Sequence, residues 1–161
     1  MRVLCCLDGT NAEQIATATK MLSASQPLTL SILYVIDIGP RAEMDHLRER
    51  FFRSSTQRLP HEQEMLESEK SSARDILNAG LRYLAHAETI EREGRPGHEI
   101  VNVAAQWQAD VVLICARAQY GGKASIGPKS VGHVARFVLD HAPCPVLLVR
   151  QIAREQFPIA R

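Results

Sequence analysis

The residues best suited to chemistry lie in one glycine-rich segment, residues 116–133. Its chemistry-bearing residues are Gly121, Gly122, Lys123, Ser125, Gly127, Lys129, Ser130, Gly132 and His133. Glycines let backbone N–H groups approach an anion closely, and a helix that begins at the end of the segment would favour negative charge there. The segment is therefore a candidate phosphate-binding loop. A glycine-rich surface loop without a ligand is the alternative.

A single carboxylate, Asp8, directly follows the apolar run Val3–Leu7, which predicts a buried strand. A second apolar run, Val111–Cys115, ends just before the glycine-rich segment. In open parallel sheets, ligands bind beyond the carboxyl ends of the strands, where the strand order reverses. We expect that reversal between these two strands, which would bring Asp8 close to the segment. Asp8 has two open interpretations, a turn or capping residue and a ligand contact.

Motifs of catalysis are missing from the sequence. The glycine-rich segment is not a Walker A loop, the Asp8-Gly9 turn is not a dinucleotide fingerprint, and no G-x-S-x-G elbow occurs. The cysteines and histidines show no zinc-ligand spacing. We therefore expect no metal site and no enzymatic activity.

The four cysteines are too few for a disulfide scaffold. Cys5 and Cys6 are adjacent, and Cys115 and Cys144 each lie among apolar residues. This placement predicts small buried hydrophobic side chains in a reducing compartment. A redox switch through Cys5, Cys6 or Cys115 is the alternative, and it would require an exposed thiolate.

Strands and helices alternate along the chain, which predicts an α/β fold with a parallel sheet of five strands. The predicted strands are Val3–Leu7, Leu28–Ile36, Glu88–Glu93, Val111–Cys115 and Val146–Val149. The predicted helices are one that begins with a capping box at Thr10–Glu13, a peripheral helix Ala42–Arg53, and the helices His61–His86, Glu99–Gln106 and Val131–Leu139. A loop is expected from Ser54 to Pro60.

Length and composition limit the partners. The chain has 161 residues, of which 45% are hydrophobic and 23% charged, and its net charge is +1. These values indicate one globular domain. Binding to nucleic acid or to an anionic membrane would need a strong basic surplus, so neither is expected. No apolar run approaches the roughly 20 residues of a membrane helix, and no signal peptide is evident, so we expect a cytoplasmic protein.

Several segments together resemble the universal stress protein family. They are Cys-Leu-Asp8-Gly-Thr10, Leu33-Tyr-Val35, Gly94-Arg-Pro96, and His141-Ala-Pro-Cys-Pro-Val-Leu-Leu-Val-Arg150. The resemblance covers residues 1–150 and leaves 151–161 as a C-terminal tail. It implies a Rossmann-like fold of the adenine nucleotide alpha hydrolase type, with strand order 3-2-1-4-5 and helices on both faces. It also implies a homodimer that pairs through Val146–Val149.

Members of this family that bind ATP carry G-x-x-G, nine residues, then G-[ST] after the fourth strand. Counting nine residues back from Gly132 gives Gly122 as the second glycine, with Gln119 in place of the first. Counting from the strand end instead gives Cys115 and Ala118 at the glycine positions, with thirteen residues before Gly132, so the loop is about four residues longer than usual. His133 replaces the Ser or Thr. One hypothesis is therefore a non-enzymatic, dimeric stress-response or signalling protein with a degenerate loop. The other is a sensor that binds ATP, AMP, a cyclic nucleotide or another phosphate ligand. The residues that would contact such a ligand are Asp8, Val35, Cys115, Gly122, Lys123, Lys129, Ser130, Gly132 and His133.

Overall fold

A parallel sheet forms the centre of the computed structural model, which describes residues 1–39, 60–116 and 130–150. The strands of the described residues are β1 (Arg2–Cys6), β2 (Thr29–Asp37), β3 (Glu88–Gly94), β4 (Val111–Cys115) and β5 (Val146–Val149). Their order across the sheet is β3-β2-β1-β4-β5, as the sequence predicted. The direction of winding reverses between β1 and β4, so the carboxyl ends of these two strands border the expected ligand position.

Helices cover both faces of the sheet, because the strands are apolar on both sides. The helices are α1 (Ala12–Ser23), α2 (Pro60–Tyr83), α3 (Pro96–Gln106) and α4 (His133–His141). Helices α1 and α2 pack on the face that contains Cys5 and Ile32, whereas α3 and α4 pack on the face that contains Cys6 and Leu33. Alternation along β1 thus sends the two adjacent cysteines into opposite halves of the core.

The two edges of the described sheet differ in character. The edge strand β3 carries Glu88, Glu91, Arg92 and Glu93, and most of its residues are exposed or half-buried. The edge strand β5 consists of four apolar residues, of which Leu147 is 39% exposed. Charged residues discourage pairing of an edge with another chain, and an apolar edge favours it.

Helices α3 and α4 approach each other closely at Gly97. A Cβ atom on Gly97 would lie 2.8 Å from Cδ1 of Phe137, which is closer than real contacts allow. The Phe137 ring in turn stacks on His141, with 4.1 Å between the ring centroids. The absence of a side chain at Gly97 therefore sets the spacing of these helices.

Some helix boundaries differ from the sequence predictions. The Thr10–Glu13 capping box was wrong: the N-cap of α1 is Asn11, which makes no side-chain capping bond, because its amide is bonded elsewhere. Helix α3 begins at Pro96 rather than Glu99, since proline fits the first helical position. The predicted helix Ala42–Arg53 and the tail 151–161 lie outside the described residues, as does nearly all of the predicted loop from Ser54 to Pro60.

No helix among the described residues is long and apolar enough to cross a membrane.

Candidate functional site

A cleft of about 330 Å³ opens at the carboxyl ends of β1, β2 and β4, where the winding reverses. Most of the side chains that line it are apolar. They are Cys6, Leu7, Leu33, Val35, Pro96, Ile100, Ile114, Val131, Val134 and Ala135. The polar part of the lining consists of Asp8, Asn11, Tyr34, Cys115, Gly132 and His133. An apolar cleft with a few polar groups at its rim is the usual form of a small-molecule site.

Asp8 lies at the rim in a turn that fixes its carboxylate. The Oδ1 atom accepts hydrogen bonds from the backbone N–H of Thr10 at 2.8 Å and from its Oγ1 at 2.9 Å. Gly9 has φ of +94°, a conformation that favours glycine, and this directs the chain from β1 into α1. Asp8 is itself exposed. The turn role and a ligand contact are therefore compatible, because the turn uses Oδ1.

Asn11 is a site residue that the sequence analysis missed. It is 3% exposed, its Nδ2 donates to the backbone oxygen of Cys6 at 3.0 Å, and its Oδ1 accepts the N–H of Asp8 at 3.0 Å. These bonds join the end of β1 to the start of α1. Its position inside a predicted capping box concealed this role, since the signal assigned capping to Thr10.

Cys115 contributes a neutral thiol to the cleft. The pKa of the Cys115 thiol is raised to about 11, chiefly by burial; a hydrogen bond with Asn11 acts to lower this pKa and the nearby Asp8 charge acts to raise it. Burial raises the pKa of Cys5 to about 12. All four cysteines are free thiols. Reactive cysteines need a lowered pKa, so these values favour a packing role over the predicted redox alternative.

Ser130 lies beside the cleft, shortly before helix α4 begins. Ser130 is 3% exposed, and its Oγ accepts a hydrogen bond of 2.9 Å from Nη1 of Arg150. Gly132 is the N-cap of α4 with φ of +83°, and His133 is the exposed first residue of that helix. The helix N-terminus therefore faces the same cleft as Asp8.

The structure brings together five of the nine predicted site residues. Those that line the cleft are Asp8, Val35, Cys115, Gly132 and His133. Ser130 lies next to the lining residue Val131, and Gly122, Lys123 and Lys129 fall outside the described residues. The described part of the chain contains no cluster of three or more His, Cys, Asp or Glu residues that could hold a metal ion.

The fold defines a Rossmann-like α/β protein with a cleft at the strand reversal. The sequence profile of the universal stress protein family matches residues 1–150, so the chain belongs to this family. This finding confirms the resemblance noted in the sequence.

Three relatives illustrate the similarity. A universal stress protein of Thermus aquaticus, encoded 3′ of a QAH/OAS sulfhydrylase, is 26% identical over 149 residues, which cover 92% of this chain and 97% of that protein. The structure of UspA from Lactobacillus plantarum superposes with a TM-score of 0.68 at 24% identity, covering 93% of this chain and 97% of the other. A family protein from Arabidopsis thaliana with AMP bound gives a TM-score of 0.55 at 15% identity, covering 99% and 96%.

Proposed function

We propose that the protein is a non-enzymatic stress-response protein that binds an adenine nucleotide in the cleft and acts as a homodimer. The observation that carries the ligand proposal is the apolar cleft at the strand reversal, with Asp8 fixed at its rim. The AMP bound to the Arabidopsis family member supports the same class of ligand. Of the two hypotheses from the sequence, the cleft favours the nucleotide sensor.

The cleft matches the two halves of a nucleoside. A purine ring is flat and largely apolar, and the buried side chains of Val35, Leu33 and Ile100 offer it an apolar environment. A ribose carries hydroxyl groups, and the carboxylate of Asp8 would accept a hydrogen bond from one of them. A hydrogen bond to an ionised acceptor is roughly twice as strong as a neutral one, so Asp8 would contribute much of the affinity.

The phosphate side of the ligand would lie toward α4. Its N-terminus, at Gly132 and His133, presents backbone N–H groups and the positive end of the helix dipole. Gly122, Lys123 and Lys129 remain sequence predictions for the same role. Cys115 stands where nucleotide-binding members of the family carry glycine. Its larger side chain would narrow the phosphate side of the cleft without closing it.

The side chains of the cleft favour binding over catalysis. The thiol of Cys115 is neutral at physiological pH, because burial raises its pKa to about 11. The bonds of Thr10 hold Oδ1 of Asp8 in a turn, which suits an acceptor of fixed geometry better than a mobile base.

The homodimer would form through β5. This strand is apolar, it lies at an edge of the described sheet, and it leaves Leu147 39% exposed. Pairing of two β5 strands would cover this surface and satisfy their edge backbone groups.

Calorimetric titration of the full chain with adenosine and with AMP tests the proposal. We expect both to bind, and we expect guanosine to bind more weakly. Asp8→Asn keeps an oxygen that can accept the bonds of Thr10 but removes the charge, so it should weaken adenosine binding roughly tenfold. Asp140→Asn makes the same chemical change on the exposed surface of α4, outside the cleft lining, and should have no effect.

Two results would contradict the proposal. One is a wild-type protein that binds neither adenosine nor AMP at millimolar concentration. The other is an Asp8→Asn variant that binds both as tightly as the wild type does, since the cleft would then not be the binding site.

A further inference from the structure

The end of β5 contacts the glycine-rich segment at two of its described residues. The backbone N–H of Ala116, the first residue of the segment, donates to the oxygen of Val149 at 2.8 Å. The Oγ of Ser130, near the end of the segment, accepts a hydrogen bond from Nη1 of Arg150 at 2.9 Å. Val149 and Arg150 therefore hold the described residues of the segment that lie beside the cleft.

A cation near the cleft would strengthen the binding of a phosphate there. Of the described side chains that line it, Asp8 is the one that is formally charged at neutral pH, and its charge is negative. A phosphate group placed in the same cleft would be repelled by Asp8. The helix N-terminus at Gly132 offsets part of this repulsion, because it is equivalent to only about half a positive charge.

Arg150 carries a full positive charge beside the cleft, although it is not one of the residues that line it. Its guanidinium is always protonated and carries five N–H donors in a planar fork that matches a phosphate. One nitrogen, Nη1, contacts Ser130, which directly precedes the lining residue Val131. Arg150 is an exposed residue.

Ser130 gives this charge a fixed position. Its side chain is 3% exposed, which is unusual for a hydroxyl, and the bond from Arg150 satisfies it. A guanidinium held by a buried partner loses less side-chain entropy when it binds a ligand than a freely moving one does.

We propose that Arg150, positioned by Ser130, is the residue that binds the phosphate of the adenine nucleotide and makes the cleft prefer nucleotides to nucleosides. This inference rests on the proposed function and deepens it. Adenosine contacts only the part of the cleft around Asp8 and Val35. AMP and ATP reach Arg150 in addition.

The test is the dissociation constant of adenosine divided by that of AMP. Both constants are measured by calorimetry on the full chain at one salt concentration, and a high ratio means a preference for AMP. Arg150→Ala should weaken AMP binding by roughly 10- to 100-fold, as expected for loss of a charged hydrogen bond, and leave adenosine within about twofold of wild type. Arg150→Lys keeps the charge, so its ratio should lie between those of Arg150→Ala and the wild type. Arg82→Ala removes an exposed arginine near the end of α2 and should change neither constant.

The outcomes separate this inference from the proposed function. Binding of adenosine or AMP by the wild type supports the proposed function whatever the Arg150 variants do, and failure of both ligands to bind overturns both proposals. An unchanged ratio in Arg150→Ala overturns the role of Arg150, as does an equal loss of both ligands, which indicates a purely structural bond to Ser130. The inference is also overturned if the double variant Lys123→Ala, Lys129→Ala loses the preference for AMP while Arg150→Ala keeps it. The glycine-rich segment would then be the phosphate site. If Arg150→Ala does not fold, the variants Ser130→Ala and Arg150→Lys take its place in the test. The inference then requires that each of them has a lower ratio than the wild type.

Discussion

The thiols of the core are held in their neutral form by burial. Burial raises the pKa of Cys5 from its ordinary value of 9.0 to about 12, and that of Cys115 to about 11. In the unfolded chain these thiols ionise near pH 9. The folded state therefore binds more protons than the unfolded state between pH 9 and about 12. The contribution of these thiols to the free energy of unfolding is fully present below pH 9 and is lost as the pH rises through this window.

Replacement of Cys5 should flatten this alkaline loss. Between pH 9.5 and 10.5, each such thiol lowers the free energy of unfolding by up to about 1.4 kcal/mol per pH unit. Urea unfolding at several pH values should show a shallower decline for Cys5→Ala than for the wild type, although the variant starts from a lower stability because of the lost packing. Parallel declines in the two proteins would show that Cys5 does not ionise on unfolding as burial requires.

Individual site residues could be predicted from the sequence where a local signal exists. Asp8 follows an apolar strand and Gly132 precedes a helix, and the structure places both in the cleft. Asn11 was missed as a residue of the cleft lining, because spacing does not encode its bonds to Cys6 and Asp8. The contact on which the proposal for Arg150 rests could not be predicted either. The hydrogen bond between Arg150 and Ser130 spans 20 residues, and it exists only once β5 lies beside the start of α4.

At the scale of elements, the contact between α3 and α4 depends on a missing side chain. Alanine in place of glycine usually stabilises a helix by up to about 1 kcal/mol. At Gly97 the added Cβ would lie 2.8 Å from Phe137, so Gly97→Ala should instead lower the free energy of unfolding, by about 1 to 3 kcal/mol. Chemical denaturation provides the measurement.

A double-variant cycle separates this clash from the general effect of the substitution. Phe137→Ala removes Cδ1 and Cγ, the two atoms nearest to the new Cβ, so Gly97→Ala should cost less in that background than in the wild type. Ala79→Gly, on the exposed side of α2, gives the ordinary helix preference for comparison. Equal costs in both backgrounds would show that the Phe137 ring does not limit the approach of the helices.

The elements themselves were predictable because their patterns are strong. Apolar runs predicted four of the strands, the charged pattern of Glu88–Glu93 predicted the edge strand β3, and the family resemblance implied the order of the sheet. Helix starts were less accurate, since capping depends on where a side chain finds its best partner. Asn11 bonds to Cys6 and Asp8 across the β1–α1 turn, and this tertiary role displaced the local capping box.

For the whole molecule, the proposed dimer gives a direct prediction. Leu147→Lys places a charge on the apolar edge strand β5, so it should convert a dimer into a monomer. Sedimentation at micromolar concentration measures the change. Thr89→Lys introduces the same side chain on the exposed opposite edge, β3, and should leave the mass unchanged.

The prediction has a clear contrary result. A wild-type protein that sediments only as a monomer, or a Leu147→Lys variant that remains a dimer, would remove β5 as the site of association. Circular dichroism of the variant confirms that any loss of dimer does not come from unfolding.

The unlike edges of the sheet also set a limit to assembly. When two copies join through β5, the apolar edge of the described sheet is covered, and both outer edges of the joined sheet are β3. Glu88, Glu91 and Glu93 would bring carboxylates close to one another if a third copy added its own β3 there. Assembly would therefore end at two copies, because the charged edge strand β3 would keep the dimer from polymerising into a fibre.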